Sequence, residues 1–187
     1  NLLNDVFDFK KGIDTRVNPV SGAVVRRWVT PAQAAAVAVA MILVGCAIGV
    51  WLYSLVGRPL LYIGVVGVAI GVLYSLGPVG LKYHALGDLA VFLNFGVLGA
   101  LGAWTVQTGS LSPVPAVWAV PMSILVIGIL HANNWRDIEG DRGGGIRTPA
   151  SLLGDRASQL YYEIRLFSPF AAIGGIIAVT RLAGIEP

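Results

Sequence analysis

Oxygen-bearing side chains concentrate in one stretch of the chain, residues 131–154, which reads HANNWRDIEGDRGGGIRTPASLLG. The chain has only ten acidic residues, and four of them lie in or beside this stretch: Asp137, Glu139, Asp141 and Asp155. If the segment is helical, Asn133, Asp137 and Asp141 recur every four residues and share one face. Asn134 lies beside that face. Because hard oxygen ligands are those that Mg²⁺ prefers, the stretch predicts a magnesium site.

The opening residues carry a second oxygen-rich face. If residues 1–9 are the end of a helix, four side chains share this face at helical spacing: Asn1, Asn4, Asp5 and Asp8. Like the first face, it ends an apolar helix and enters a basic loop. Carboxylates gathered at one site raise one another's pKa unless cations lie between them. Two such faces therefore indicate a shared site for divalent cations.

The composition of the chain is that of a membrane protein. Of its 187 residues, 56% are hydrophobic and 12% are charged, whereas an ordinary soluble domain carries about 25% charged residues. Three uncharged runs, 31–57, 59–81 and 89–135, each exceed the roughly 20 residues that cross a bilayer as a helix. The third run is long enough for two spans. These runs predict an all-α fold, a polytopic bundle of transmembrane helices.

Five complete spans are predicted, preceded by the last turns of another helix: residues 31–56, 60–76, 88–107, 116–130 and 160–182. The chain opens on Asn, without a signal peptide. We therefore expect residues 1–187 to be an incomplete part of one transmembrane domain, with the start of the first helix and the last helices lying outside it. Cys46 is the single cysteine, so neither a disulfide nor a cysteine-based metal site is expected within this chain.

Basic residues cluster on one side of the predicted spans. Ten of the thirteen lie in the segments 1–30, 77–87 and 135–159, which the order of the spans places on the same side of the bilayer. By the positive-inside rule we expect these loops to be cytoplasmic. The two oxygen-rich faces can then meet at one end of the bundle. Because the basic residues flank apolar spans, we expect no nucleic-acid partner.

Magnesium ions held between the two faces would bind a diphosphate group. Four basic residues are available to bind its remaining oxygens: Lys82, Arg136, Arg142 and Arg147. Since the site lies at the mouth of an apolar bundle, the substrate that fits is a polyprenyl diphosphate with its hydrocarbon tail among the helices. Ionisation of such a substrate gives an allylic carbocation, which an electron-rich acceptor attacks.

Two segments of the chain resemble the motifs of the UbiA superfamily of intramembrane prenyltransferases. NDVFD, at residues 4–8, resembles the family's N-D-x-x-D pattern in a first Asp-rich motif spanning residues 4–14. NWRDIEGD, at residues 134–141, resembles its D-x-x-D-x-x-x-D pattern in a second motif spanning residues 133–148. The resemblance covers the whole chain. It implies part of a nine-helix bundle, with both motifs in cytoplasmic loops, and an enzyme that transfers polyprenyl groups with Mg²⁺.

The resemblance also implies roles for individual residues. Mg²⁺ and the diphosphate would be bound by six oxygen-bearing residues: Asn4, Asp5, Asp8, Asn134, Asp137 and Asp141. The four aspartates in this set are the expected catalytic residues. Lys82 corresponds to the family's loop lysine and, with Arg136 and Arg147, would bind the diphosphate.

Two departures from the family pattern favour one of its branches. Where the first motif of the family often carries a further acid, this chain has Gly12, with Asp14 two positions later. The second motif begins with Asn134 in place of Asp. Together with KYHALGD at residues 82–88, these features resemble the branch that prenylates 1,4-dihydroxy-2-naphthoate or menadiol in menaquinone synthesis. The expected small aromatic acceptor is therefore 1,4-dihydroxy-2-naphthoate.

Several alternatives stay open on the sequence alone. The same metal site would serve another acceptor, such as 4-hydroxybenzoate, homogentisate, a tetrapyrrole or a glycerophosphate lipid. A CDP-alcohol phosphotransferase also uses clustered aspartates, but its D-G-x-x-A-R segment is missing. A cation-coupled transporter would place its carboxylates near the bilayer midplane on broken helices. For Asn94 and His131, both substrate contact and hydrogen bonding within the bundle are open. The sequence predicts no oligomeric state.

Overall fold

The computed structural model of the protein describes residues 2–12, 17, 22–76 and 80–184. Its helices are α1 (Leu2–Lys10), α2 (Pro31–Val56), α3 (Arg58–Ser75), α4 (Gly87–Thr108), α5 (Val114–Arg136), α6 (Ile138–Gly143), α7 (Pro149–Leu153) and α8 (Asp155–Leu182). A 3-10 turn, Leu81–Tyr83, precedes α4. The described residues contain no strand, and the predicted all-α class is confirmed. Five of the helices, α2, α3, α4, α5 and α8, are long and apolar enough to cross a membrane.

Local sequence signals set the ends of α2. The Thr30 hydroxyl accepts a hydrogen bond from the Gln33 N–H at 3.2 Å, and the Gln33 side chain accepts one from the Thr30 N–H at 2.9 Å. This reciprocal cap satisfies two N–H groups that a helix start leaves without partners. At the other end, Gly57 adopts φ 93°, a conformation that glycine tolerates best. The predicted span 31–56 is confirmed.

Three other predicted spans differ from the observed helices. The second span begins at Arg58 rather than at residue 60, and the last begins at Asp155 rather than at residue 160. The fourth continues past residue 130 to Arg136, so its last turns carry the polar residues that follow His131. Asn1, Asp14 and the predicted Gly77-Pro78 break lie outside the described residues.

The helix considered for residues 133–141 is present except at Asp137. The α5 helix ends at Arg136, and Asp137, with φ −100° and ψ 13°, separates it from α6. The Arg136 guanidinium binds both carboxylate oxygens of Asp137, at 2.8 and 2.5 Å. Neighbouring residues of a regular helix do not face each other in this way. Ile138, just after the break, is buried.

Small residues allow α4 to approach α5 closely. An ideal Cβ on Gly96 would lie 1.7 Å from the Ser123 Oγ and 2.6 Å from its Cβ, so no larger residue fits. Small residues are common at contacts between membrane helices because they let the backbones approach. The middle of α4, Phe92–Leu98, is π-helical. The outer surface of the bundle is apolar: Trp51 is 62% exposed and Phe170 is 70% exposed.

A polar brace, defined here as Asp88, His131, Tyr161 and Arg165, joins α4, α5 and α8. The Tyr161 hydroxyl donates to the Asp88 Oδ2 at 2.8 Å and accepts a hydrogen bond from the Arg165 Nη2 at 2.6 Å. The fully buried His131 ring lies 4.5 Å from the Tyr161 ring, and its Nε2 is 3.2 Å from the Ser158 carbonyl oxygen. Of the two roles left open for His131, the contacts favour hydrogen bonding within the bundle.

Replacing Tyr161 with phenylalanine removes the hydroxyl that joins Asp88 to Arg165. We predict that the free energy of unfolding in detergent falls by about 1–3 kcal/mol, because each of these buried groups loses a partner. Tyr162→Phe is the matched control, since the Tyr162 hydroxyl has no hydrogen-bond partner among the described residues. Denaturant titration of the purified variants measures the difference. Equal stability of Tyr161→Phe and the wild type would contradict the bracing role.

Candidate active site

A cavity of about 1620 Å³ opens between α1 and α5 and changes in character from one end to the other. Its polar end is lined by residues of both Asp-rich motifs and of the 3-10 turn: Asn4, Asp8, Lys82, Asn133, Asn134, Arg136, Asp137 and Asp141. The rest of it is lined mainly by apolar residues, among them Ala38, Met41, Ile42, Cys46, Val68, Val72, Val91 and Phe95. Pockets for a single drug-sized ligand measure about 300–1,000 Å³. This cavity is therefore large enough for two substrates.

A buried ion pair crosses the polar end of the cavity. The Lys82 Nζ lies 2.6 Å from the Asp8 Oδ2 and 2.7 Å from its Oδ1, and it also donates to the Asn4 Oδ1. The two charged side chains are 14% and 11% exposed. A single cation thus holds the amide and the carboxylate of the first motif together.

Neighbouring hydroxyl groups complete the hydrogen bonding of the first motif. The Tyr83 hydroxyl donates to the Asp8 Oδ1 at 2.7 Å. The Ser75 hydroxyl donates to the Asn4 Oδ1 at 3.2 Å. The Lys11 Nζ lies 3.3 Å from the centre of the Tyr83 ring, a cation–π contact. The first motif is therefore bound to α3 and to the 3-10 turn through its side chains.

Backbone hydrogen bonds join the Lys82 turn, defined here as residues 81–85, to the second motif. The Ala85 N–H donates to the Arg147 carbonyl oxygen at 2.5 Å, and the Arg147 N–H donates to the Tyr83 carbonyl oxygen at 3.1 Å. These bonds form a parallel bridge between His84 and Arg147. Ala85 adopts φ 58°, which is uncommon for a residue with a Cβ. Lys82 is thus fixed relative to both motifs.

The electrostatics of Asp141 also connect the motifs. Burial raises the pKa of Asp141 to about 6, and the negative charges of Asp137 and Asp8 act in the same direction. A hydrogen bond from the Thr148 hydroxyl, 3.1 Å from the Asp141 Oδ2, and the charge of Lys82 oppose that rise. Because Asp8 and Lys82 both influence Asp141, the carboxylates of the two motifs share one electrostatic environment.

Comparison with known proteins decides the family. The sequence matches the model of the UbiA prenyltransferase family over residues 1–185. The chain belongs to this family. It is 38% identical to UbiA prenyltransferase domain-containing protein 1 of Rattus norvegicus over 173 residues, which cover 91% of this chain and 51% of that protein. The Homo sapiens protein of that name is 37% identical over 173 residues, with the same coverage. The Drosophila melanogaster homolog is 35% identical over 178 residues, covering 91% and 48%.

The chain thus spans about half the length of the curated relatives that it matches. The predicted membership of the UbiA superfamily is confirmed. With five helices suited to crossing a bilayer, this member of a prenyltransferase family is an integral membrane protein. Family membership favours an enzyme over the cation-coupled transporter that the sequence left open.

Asp5 and Arg147, two of the predicted site residues, do not line the cavity. The Asp5 Oδ2 accepts a hydrogen bond from the Val24 N–H at 3.3 Å, and the Asp5 carboxylate fills the space beside Gly22. The Arg147 side chain is exposed, and it is the backbone of this residue that contacts the Lys82 turn.

The other two predicted arginines both have partners. Arg136 lines the cavity while bound to Asp137. Arg142 donates to the Ser151 carbonyl oxygen at 2.9 Å, which fixes α6 against α7.

The donor set at the polar end suits a hard divalent cation such as Mg²⁺. Among the described residues, no three His, Cys, Asp or Glu side chains lie close enough to hold a metal ion by themselves. The lining nevertheless offers six hard oxygen donors from carboxylates and amides: Asn4, Asp8, Asn133, Asn134, Asp137 and Asp141. Mg²⁺ in proteins commonly binds one or two carboxylates and completes its coordination with water and substrate phosphates. Such an ion suits this set together with a diphosphate.

Three hydroxyl groups at the site were missed by sequence reasoning. Tyr83 and Ser75 bind the first motif, and Thr148 binds Asp141 while also capping α7 through the Ser151 N–H at 3.0 Å. The Thr148-Pro149 pair is a recognisable helix start, so Thr148 had a local signal. Tyr83 lies in the KYHALGD segment that resembles the family, but the contacts of Ser75 and Tyr83 could not be predicted because they depend on how α1 packs.

Proposed function

We propose that the full-length protein transfers a polyprenyl group from a polyprenyl diphosphate to a small aromatic acceptor in a Mg²⁺-dependent reaction. One observation carries the proposal: a single cavity has both Asp-rich motifs and Lys82 at its polar end and apolar side chains along the rest of its wall. This distribution suits a substrate with a charged head and a hydrocarbon tail. Membership of a prenyltransferase family supports the same function.

The residues of the polar end have distinct roles in this proposal. Asp8, Asp137 and Asp141, with the amides of Asn4 and Asn134, hold Mg²⁺ and the diphosphate. The bound ion would supply Lewis-acid stabilisation of the departing diphosphate. The sequence also proposes Asp5 as a ligand and Arg136, Arg147 and Lys82 as diphosphate-binding residues. Three of these carboxylates would give up present contacts to bind the ion: Asp5 the hydrogen bond from the Val24 N–H, Asp8 part of its pairing with Lys82, and Asp137 part of its pairing with Arg136.

The reaction begins when the bond between C1 of the prenyl chain and a diphosphate oxygen breaks. The electron pair leaves with the diphosphate, whose charge the side chains of Lys82 and Arg136 stabilise. The allylic cation is then attacked by a carbon of the acceptor ring, and a carbon–carbon bond forms. That ring carbon loses a proton, or a carboxylate as carbon dioxide, to restore aromaticity. The apolar wall around Val91 and Phe95 excludes water from the cation.

The proposed acceptor is 1,4-dihydroxy-2-naphthoate, which places the protein in menaquinone synthesis. The motif that begins with Asn134 and the KYHALGD segment at residues 82–88 support this branch. We predict that the full-length protein, with Mg²⁺ and a radiolabelled polyprenyl diphosphate, forms labelled product from 1,4-dihydroxy-2-naphthoate. Transfer to 4-hydroxybenzoate alone would reassign the acceptor. Failure to prenylate any aromatic acceptor would contradict the proposed function.

Removing one carboxylate of the polar end tests the metal and diphosphate site. We predict that Asp8→Ala and Asp137→Ala each lower kcat at least about 100-fold, as does the loss of a group that stabilises developing charge in other enzymes. Glu139→Ala is the matched control, because Glu139 lies two residues from Asp137 but is exposed and outside the cavity lining. Full activity in both aspartate variants, or an equal loss in the control, would contradict the assignment of Asp8 and Asp137 to the metal and diphosphate site.

We also propose that the loops bearing the motifs face the cytoplasm, because ten of the thirteen basic residues lie in them or in the loop of Lys82. A cysteine introduced in place of Glu139 tests the orientation. A membrane-impermeant maleimide is expected to label it only after the cells are permeabilised. Labelling in intact cells would show that these loops face the outside of the cell.

A further inference from the structure

Asn94 is the one polar side chain of the π-helical segment Phe92–Leu98. It lines the apolar part of the cavity, next to Phe95 and Val91. Short π-helical segments within α-helices frequently occur at functional sites, because the extra residue in the turn redirects a side chain. Here that segment places an amide in a part of the cavity that is lined mainly by apolar side chains.

The Asn94 amide lies against two glycines of α3. An ideal Cβ on Gly67 would be 3.2 Å from the Asn94 Oδ1, and one on Gly71 would be 3.6 Å from its Nδ2. The amide has no hydrogen-bond partner among the described residues. A polar group within a membrane helix is costly unless it finds a partner. Because Asn94 lines the cavity, a molecule bound there can supply that partner.

The depth of Asn94 can be read from its neighbours on α3. Gly71, which the Asn94 Nδ2 faces, precedes Ser75 by four residues, and the Ser75 hydroxyl contacts Asn4 at the polar end. Four residues of helix rise about 6 Å. Because the Asn94 Oδ1 faces Gly67, four residues further from Ser75, the amide lies about one to two helical turns below the Asp8–Lys82 pair. C1 of the prenyl chain is bonded to the diphosphate and therefore lies near the polar end, so the acceptor ring must lie beside C1, from where a ring oxygen can extend toward Asn94.

We propose that Asn94 binds a hydroxyl or carbonyl oxygen of the aromatic acceptor and orients its ring for attack on C1. This inference rests on the proposed prenyl transfer. Of the two substrates, the prenyl tail has no hydrogen-bonding group, and the diphosphate is held about one to two turns higher by charged side chains. Only the oxygenated ring of the acceptor offers a partner for an amide at this depth. Asn94 is thus a specificity-determining residue of the acceptor subsite.

Asn94→Leu in the full-length protein keeps the branched shape of the side chain and removes its hydrogen-bonding groups. We expect the KM for 1,4-dihydroxy-2-naphthoate to rise about ten-fold or more, because an acceptor oxygen is left without a partner. The KM for the polyprenyl diphosphate should stay within about two-fold, which a general structural defect would not allow. Asn94→Ser retains a hydroxyl and should recover part of the acceptor affinity.

Two glycine substitutions give a matched pair that leaves Asn94 itself in place. Gly67→Ala puts a methyl group 3.2 Å from the Asn94 Oδ1, which forces the amide to shift, whereas Gly71→Ala makes an ordinary contact at 3.6 Å. We expect the first to raise the acceptor KM more than the second. If Asn94→Leu fails to fold, this pair of variants still tests whether Asn94 binds the acceptor.

The outcomes separate this inference from the proposed function. Transfer by the wild type together with an unchanged acceptor KM in Asn94→Leu would overturn the role of Asn94 and leave prenyl transfer standing. Equal effects of Gly67→Ala and Gly71→Ala on the acceptor KM would also count against it. Absence of transfer by the wild type itself would overturn the proposed function, and the acceptor subsite with it.

Discussion

The ion pair between Lys82 and Asp8 is the contact on which the rest of the site depends. It joins residues that are 74 positions apart in the sequence, and both side chains are largely buried. A buried ion pair contributes little net stability, but removing either partner leaves a charge without compensation. Its value is geometric: α1 cannot dock against the Lys82 turn in another register without breaking it. The position of the first motif is set in this way.

The Lys82 turn also fixes the second motif relative to the first. Backbone bonds between the Lys82 turn and Arg147 place Thr148, and Thr148 binds Asp141. Three segments that are distant in sequence thus form one polar end for the cavity. The polar brace around Tyr161 attaches α4 and α5 to α8. Two polar networks thus hold the charged groups of an apolar bundle in fixed places.

Much of the fold was predictable because its signals are local. Thr30-Pro31 and Gly57 mark the ends of α2, and the uncharged runs mark the spans. Counting spans also predicted that both motifs lie at one end of the bundle, and residues of both line its cavity. The break at Asp137 was not predictable, because it accompanies a carboxylate bound to Arg136 and the burial of Ile138. The orientation of Asp5 depends on the distant Val24 N–H, and the left-handed Ala85 has no sequence signature.

The central claim is that Lys82 and the two motifs form one binding site for Mg²⁺ and diphosphate. Calorimetric titration of the full-length protein with inorganic diphosphate, with and without Mg²⁺, tests it most directly. The expected result is binding that requires Mg²⁺ and weakens about ten-fold or more in Lys82→Met, since a charged hydrogen-bond donor is lost. Lys82→Arg should restore part of it, and Lys10→Met, at an exposed position on α1, should not weaken it. Equal affinity without Mg²⁺, or an unchanged affinity in Lys82→Met, would contradict the account.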